Sequence, residues 1–271
     1  MDEIAQEKST LVTPVKEYRE RIFFKVNALK IKAFLMLQKT QCNEVKMVFD
    51  VDGITWKSVD PCHVSMISSE INSKGIEAYT FLSGSDKLEL GIDIDKFLGI
   101  LKTVKKDDTV TFDYDTDKGL NKIFVTVGAF VHTVGTIDAS RMPDPKMPHL
   151  ELPACFIIET SLFYDFIKKA GAVSDHLGIT TETEKLTLFA KGDTDEVNLV
   201  KSRGEIRLLS SSGKYTSLFS VDYLLNIVGN LKKMFKKVEV RIGSDNPVQL
   251  RCYDENGSTV TVLIAPRIES E

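Results

Sequence analysis

The sequence predicts an α+β protein made of two tandem, similar domains. Three observations carry that reading. β-rich runs dominate and are interrupted by only four helical segments. Four of the eight prolines crowd between positions 138 and 153. One helix-plus-strand segment recurs later in the chain: DKFLGIL at Asp95 matches DYLLNIV at Asp222, and each is followed by a lysine pair and an alternating strand. Repetition of this kind points to internal duplication.

The elements follow in order. Residues 1–20 are polar and mixed in charge, and read as a mobile extension or a loosely attached arm. Residues 22–26 form a short strand. Asn27 is a good helix N-cap, and residues 28–39 contain strong helix formers without Gly or Pro. The runs 45–50 and 54–60 are joined through Asp52-Gly53, a hairpin signal. Strands are expected at 63–71 and near 79–82, and a second helix at 94–104. Strands then run at 109–114, 122–127 and 129–137. The prolines Pro143, Pro145, Pro148 and Pro153 forbid regular helix and central strand across 138–153, so an extended linker is expected there. Beyond it the order restarts: a strand at 155–159, a helix capped by Ser161 and running to about 172, and strands at 178–182, 186–191, 197–201 and 205–209. A Ser-rich turn then leads to a helix at 221–231, and strands at 237–242, 248–252 and 259–264 close the chain. The expected division is 1–20 extension, 21–137 first domain, 138–153 linker and 154–271 second domain.

Composition narrows the function. The 271 residues suit two domains of about 130. Hydrophobic residues at 42% and charged residues at 27% are ordinary for a globular protein. Cys42, Cys62, Cys155 and Cys252 show no zinc or redox spacing and read as buried apolar thiols. No apolar run has the length of a membrane span, and no secretory leader is recognisable. A soluble intracellular protein is expected.

The net charge of −4 argues against a phosphate-binding surface until it is partitioned. Segments 27–41, 94–106, 161–172 and 221–237 together hold thirteen lysines against three aspartates, or +10, which leaves −14 elsewhere. Lysines do solvate helix faces and favour helix C-termini. All four helices being net basic in an acidic chain points instead to one basic surface. Lysine point charges give salt-dependent, sequence-independent affinity for phosphates. These helices contain no arginine, so base reading is not indicated.

Catalytic patterns are weak. The pairs Asp50/Asp52, Asp93/Asp95, Asp113/Asp115 and Asp193/Asp195 have the chemistry of a Mg²⁺ site. Each falls at an expected turn or helix start, where Asp serves local hydrogen bonding. His63, His132, His149 and His176 lack ligand spacing. No phosphate-binding loop, nucleophile elbow or dinucleotide fingerprint occurs. No catalytic residue, metal or cofactor is assigned. A metal-dependent nucleic-acid enzyme using the Asp pairs stays open as the alternative of another class.

Four segments carry a resemblance. Residues 59–66 (VDPCHVSM), 91–102 (GIDIDKFLGILK), 192–197 (GDTDEV) and 263–269 (LIAPRIE) occur in the right order over 21–269. Together they resemble the proliferating cell nuclear antigen (PCNA) family of DNA sliding clamps, and the Gly-Asp-Thr turn and the ending look archaeal. The resemblance implies a homotrimeric ring of six similar domains, with antiparallel sheets outside and two helices per domain lining the hole. It implies sequence-independent enclosure of double-stranded DNA, and tethering of DNA polymerase, clamp loader, flap nuclease and DNA ligase. It places the protein in the cytoplasm with the nucleoid if archaeal, or in the nucleus if eukaryotic. A subunit of a heterotrimeric or checkpoint-type clamp is the alternative within the family.

Residue by residue, the resemblance assigns DNA-facing roles to Lys32, Lys39, Lys102, Lys168, Lys232 and Lys233, with Gly229 standing where a lysine often occurs. It assigns a pocket for Gln-x-x-apolar-x-x-aromatic partner peptides to Val59, His63, Val64, Met66, Leu150, Leu152, Pro153, Pro247, Leu263, Ile264, Ala265, Pro266 and Ile268. By position in that fold, 129–137 of one subunit meets roughly 197–203 of the next, through Ala129, Val131 and Thr133 against Val197, Leu199 and Lys201.

Overall fold

The computed structural model describes residues 19–267. The first half contains β1 (Arg21–Asn27), α1 (Ala28–Gln38), β2 (Glu44–Phe49), β3 (Gly53–Val59), β4 (Ser65–Asn72), β5 (Ala78–Leu82), β6 (Leu88–Asp93), α2 (Ile94–Ile100), β7 (Thr109–Asp115), β8 (Lys122–Val127) and β9 (Phe130–Gly135). The second half repeats this order: β10 (Ala154–Glu159), α3 (Thr160–Ala170), β11 (His176–Glu182), β12 (Lys185–Lys191), β13 (Glu196–Ser202), β14 (Arg207–Ser210), β15 (Tyr215–Ser220), α4 (Val221–Met234), β16 (Lys237–Ile242), β17 (Val248–Tyr253) and β18 (Ser258–Ile264). Each half is therefore one strand, a helix, five strands, a helix and three strands.

The pairing repeats as well. β1 lies between β5 and β7, as β10 lies between β14 and β16. β2 lies between β3 and β6, as β11 lies between β12 and β15. The register is equivalent too: Gly53↔Asn72 in β3–β4 corresponds to Lys185↔Ser202 in β12–β13. All of these ladders are antiparallel.

The halves are not separate bodies joined only by the linker. β18 pairs with β4 from Ser258↔Ile71 to Ile264↔Ser65. This fuses five strands of the second half to four of the first in one sheet, β14-β10-β16-β17-β18-β4-β3-β2-β6. Two smaller sheets remain, β5-β1-β7-β8-β9 and β13-β12-β11-β15. The helices form a row in which α1 packs against α2 and α4, and α4 against α3. Phe34 of α1 meets Trp56 of β3 edge-on at 5.6 Å and Phe235, just beyond α4, at 6.3 Å, which ties the helix row to the sheet core.

Most expected elements are present, and Asn27 caps α1 by accepting the Lys30 N–H. Several expectations need correction. β6 and β15 lie outside the expected strands: LELGID is interrupted by Gly91, and YTSLFS falls in the expected Ser-rich turn. The second helix ends at Ile100 and tightens into a 3-10 turn, Leu101–Thr103. β4 starts at Ser65 rather than 63, because His63 takes a left-handed φ of 56°. Similarly, β9 starts at Phe130, after Gly128 at φ 57°. Ser161 is not a cap: β10 runs straight into α3, whose N-cap position is Glu159. Cys62 is exposed, unlike the buried thiol expected, since it sits in the loop before β4. The expected arm ends earlier than position 20. Arg19 grips Asp115 at 2.6 and 3.1 Å, and Glu20 bonds Thr116. Residues 1–18 lie outside the described residues. The linker is irregular apart from a 3-10 turn at Ala139–Arg141.

Candidate DNA-facing surface and partner pocket

The six assigned lysines all lie on the helix row or its tails. Lys102, Lys168, Lys232 and Lys233 are exposed, while Lys32 and Lys39 are half-buried. Lys32 Nζ donates to the Lys102 carbonyl at 3.2 Å, so α1 is tied to the turn after α2. Lys39 is partly neutralised, because its ammonium bonds Asn43 at 2.7 Å and pairs closely with Asp95. Lys168 and Lys232 sit in the last turns of α3 and α4, where the helix dipole favours a cation.

Gly229 has a structural reason. A Cβ there would stand 3.0 Å from Cε2 of Tyr164. The Tyr164 ring occupies the space over Gly229, and the Lys232 ammonium lies 3.7 Å from the ring centroid. α4 thus gives up a side chain at 229 to seat an aromatic ring that holds a neighbouring lysine. The isolated sequence of α3 offered no signal for this role of Tyr164.

The residues assigned to the pocket come from four separate segments. Val59, Met66 and Leu263 are directly opposite one another on β3, β4 and β18, an apolar row on one face of the nine-stranded sheet. Farther along the same strands this face becomes polar, with Lys57, Ser68 and Thr261 and then Thr55, Glu70 and Thr259. The chain after β18 is clipped to the loop before β4 by Ala265 N–H donating to the Val64 carbonyl at 2.8 Å. Val64, Leu150, Leu152, Pro247, Ala265 and Pro266 are half-buried, and His63 and Pro153 are exposed. Ile264 is corrected. Alternation along β18 turns it to the opposite face from Leu263, where it is fully buried, so it is core and not pocket wall. Ile268 lies outside the described residues.

Three of the four Asp-x-Asp pairs serve local structure through their carboxylates. Asp50 accepts the N–H groups of Asp52 and Gly53, and Asp93 caps α2 through those of Asp95 and Lys96. Asp113 pairs with Lys118 and Asp115 with Arg19. Gly192 N–H bonds the Asp195 carbonyl in the β12–β13 turn.

Residues 24–128 match the family described as proliferating cell nuclear antigen, N-terminal domain. The DNA polymerase sliding clamp of Methanosarcina mazei is 33% identical, over 91% of this chain and 98% of that protein. The chain belongs to the PCNA family of DNA sliding clamps. The clamp of Methanosarcina barkeri is 32% identical over the same shares. Among solved structures, A. fulgidus PCNA with the C-terminal region of FEN-1 bound superposes with a TM-score of 0.84 at 26% identity, covering 92% of this chain and all of that one. The PCNA2–PCNA3 complex of Sulfolobus tokodaii gives 0.77 at 26% identity, covering 91% and all. These relatives are archaeal, in line with the archaeal look of the turn and the ending. Clamps of this family are non-enzymatic processivity factors.

Proposed function

We propose that three copies of this chain close into a ring that encloses duplex DNA on its helix row and tethers partner proteins at the Val59–Met66–Leu263 pocket. One observation carries the ring. Within the chain, β18 joins the five-strand unit of one half to the four-strand unit of the other through β4. The two remaining sheets end on β9 and β13, the strands equivalent to β18 and β4. Pairing β9 of one copy with β13 of the next repeats the same junction between copies. It also removes two open edges.

The internal register carries over to this junction. It sets Phe130 opposite Leu199, Val131 opposite Asn198, and His132 opposite Val197. Side-chain direction agrees: Val134, buried on β9, shares a face with His132 and Phe130, as the half-buried Val197 and Leu199 share one on β13. A slip by one residue would set inner against outer faces. Phe130, 73% exposed in the single chain, gains Leu199 as an apolar partner on closure. Of the interface residues assigned from sequence, Val131, Thr133, Val197 and Leu199 fall in this ladder, with Thr133 opposite Glu196. Ala129 lies in the turn just before it, and Lys201 flanks it.

DNA would be held without base reading, by Lys32, Lys102, Lys168, Lys232 and Lys233, with Lys39 weakened by Asp95. Partner capture by short peptides is supported by the bound FEN-1 segment of the A. fulgidus structure. DNA polymerase, clamp loader and DNA ligase are proposed to use the same pocket, in an archaeal-type cytoplasm with the nucleoid. The domain limits 21–137 and 154–271 are proposed as the two ring units.

Light scattering tests the assembly, with about three times 30.3 kDa expected. A monomer that assembles only with other subunits would favour a heterotrimer, a reading for which the PCNA2–PCNA3 complex is the precedent. In a Cys62→Ser background, Val131→Cys with Asn198→Cys should form an intersubunit disulfide, since directly opposed strand residues lie within disulfide range. Its absence in a trimer would refute the register.

A further inference from the structure

The loop between β3 and β4 supplies His63 and Val64 to the pocket wall, and a buried carboxylate sets its shape. Asp60 is only 4% exposed. Its Oδ1 accepts the Ser65 backbone N–H at 2.5 Å, and its Oδ2 accepts that of Cys62 at 3.0 Å. These bonds are local to the loop. A further donor is not: the Tyr223 hydroxyl, in the first turn of α4 and so in the other half of the chain, reaches Oδ2 at 2.9 Å. Burial opposes the Asp60 charge, yet the Ser65 N–H, the Tyr223 hydroxyl and the Cys62 and Val64 N–H groups outweigh it and hold the carboxyl below its ordinary range. Burial and then Asp60 push Tyr223 up to about 12, so it stays a neutral donor near neutral pH.

The loop needs such a hold. His63 carries a left-handed φ of 56°, which a side chain other than glycine keeps only when its surroundings enforce it. The His63 N–H bonds the Asp60 carbonyl at 2.9 Å, so the strained residue hangs directly on Asp60. Behind the loop, the Ser65 hydroxyl donates to Gln41 at 2.7 Å, which anchors its end to the chain just after α1. Tyr223 completes the enclosure from the far side.

We propose that Tyr223 is a positioning residue for partner binding, setting the His63–Val64 wall through Asp60 for a peptide with apolar and aromatic anchors. The proposal rests on the pocket reading above. A preshaped wall lowers the ordering cost of binding, so its loss weakens affinity even where every group that touches the peptide is kept.

The test uses the full chain as the assembled clamp and a labelled synthetic peptide of pattern Gln-x-x-Leu-x-x-Phe. Tyr223→Phe should bind the peptide about two- to tenfold more weakly, the cost of ordering a loosened side chain on binding. Assembly mass should hold and melting temperature should fall only modestly, while amide exchange at Cys62 and Ser65 rises. Asp60→Asn should weaken binding too, and the double variant should be no weaker than Asp60→Asn alone. Wild-type affinity in Tyr223→Phe, or additive losses that track a falling melting temperature, would overturn the positioning role while leaving the pocket standing. A wild-type clamp that does not bind the peptide would instead overturn the pocket reading and the inference with it.

Discussion

The Lys232 ammonium rests 3.7 Å from the Tyr164 ring centroid, and that ring lies where a side chain at Gly229 would crowd it. Three residues on two helices thus form one unit on the surface proposed to face DNA. Gly229→Ala should be nearly neutral in stability, because the gain of about 1 kcal/mol in helix propensity is offset by displacing the ring. In a Tyr164→Ala background the same change should stabilise by about 1 kcal/mol. Urea denaturation of the four variants measures the difference, and equal effects in both backgrounds would show that the ring does not depend on Gly229.

Lys32 and Lys102 meet through the 3.2 Å bond from Lys32 Nζ to the Lys102 carbonyl. Lys32→Glu with Lys102→Glu should shorten retention on circular duplex DNA. It should also lower the slope of log affinity against log salt by about one for each phosphate that is no longer neutralised. Retention and slope both matching the wild type would move the DNA surface elsewhere.

Leu263 and Ile264 are neighbours on opposite faces of β18. Ile264→Ala should cost about 2–5 kcal/mol of stability as a core truncation. Leu263→Ala, on the apolar row with Val59 and Met66, should reduce peptide affinity with a smaller loss of stability. Leu152→Ala, in the linker, should act through affinity alone. Calorimetry of unfolding and of peptide binding separates the two effects, and the reverse pattern would exchange the assignments.

Acid stability should depend on Arg19. Its hydrogen bond holds the fully buried Asp115 below the ordinary carboxylate range, against burial and with help from the Asp117 N–H. A carboxylate depressed in the folded state stabilises above its unfolded value, about pH 4, and loses that contribution as pH falls through the folded value. Wild-type melting temperature should therefore drop below about pH 4. Arg19→Ala should melt lower at neutral pH and show a shallower acid limb. Parallel curves would mean that Arg19 does not set the Asp115 charge.

Much of this was legible in the chain itself. The Asn27 cap, the Asp52-Gly53 hairpin and the proline-rich linker depend on residues a few positions apart, and local chemistry decides them. The +10 of the helical segments was countable for the same reason. β6 and β15 are not legible locally: Gly91 interrupts the first and the Ser/Thr content of 215–220 imitates a turn, yet neighbouring strands override those preferences.

By itself the sequence determined two similar units in tandem, four basic helices and a linker that must stay irregular, since capping, periodicity and proline geometry act over short range. Only the tertiary structure decided that β18 joins β4, leaving β9 and β13 as matching edges. It alone turned Leu263 outward and Ile264 inward, and brought Tyr223 to Asp60 and Tyr164 over Gly229. The physical reason is distance along the chain: Asp60 and Tyr223 are 163 positions apart. Such a contact forms only after sheet pairing and helix packing have brought the two halves together.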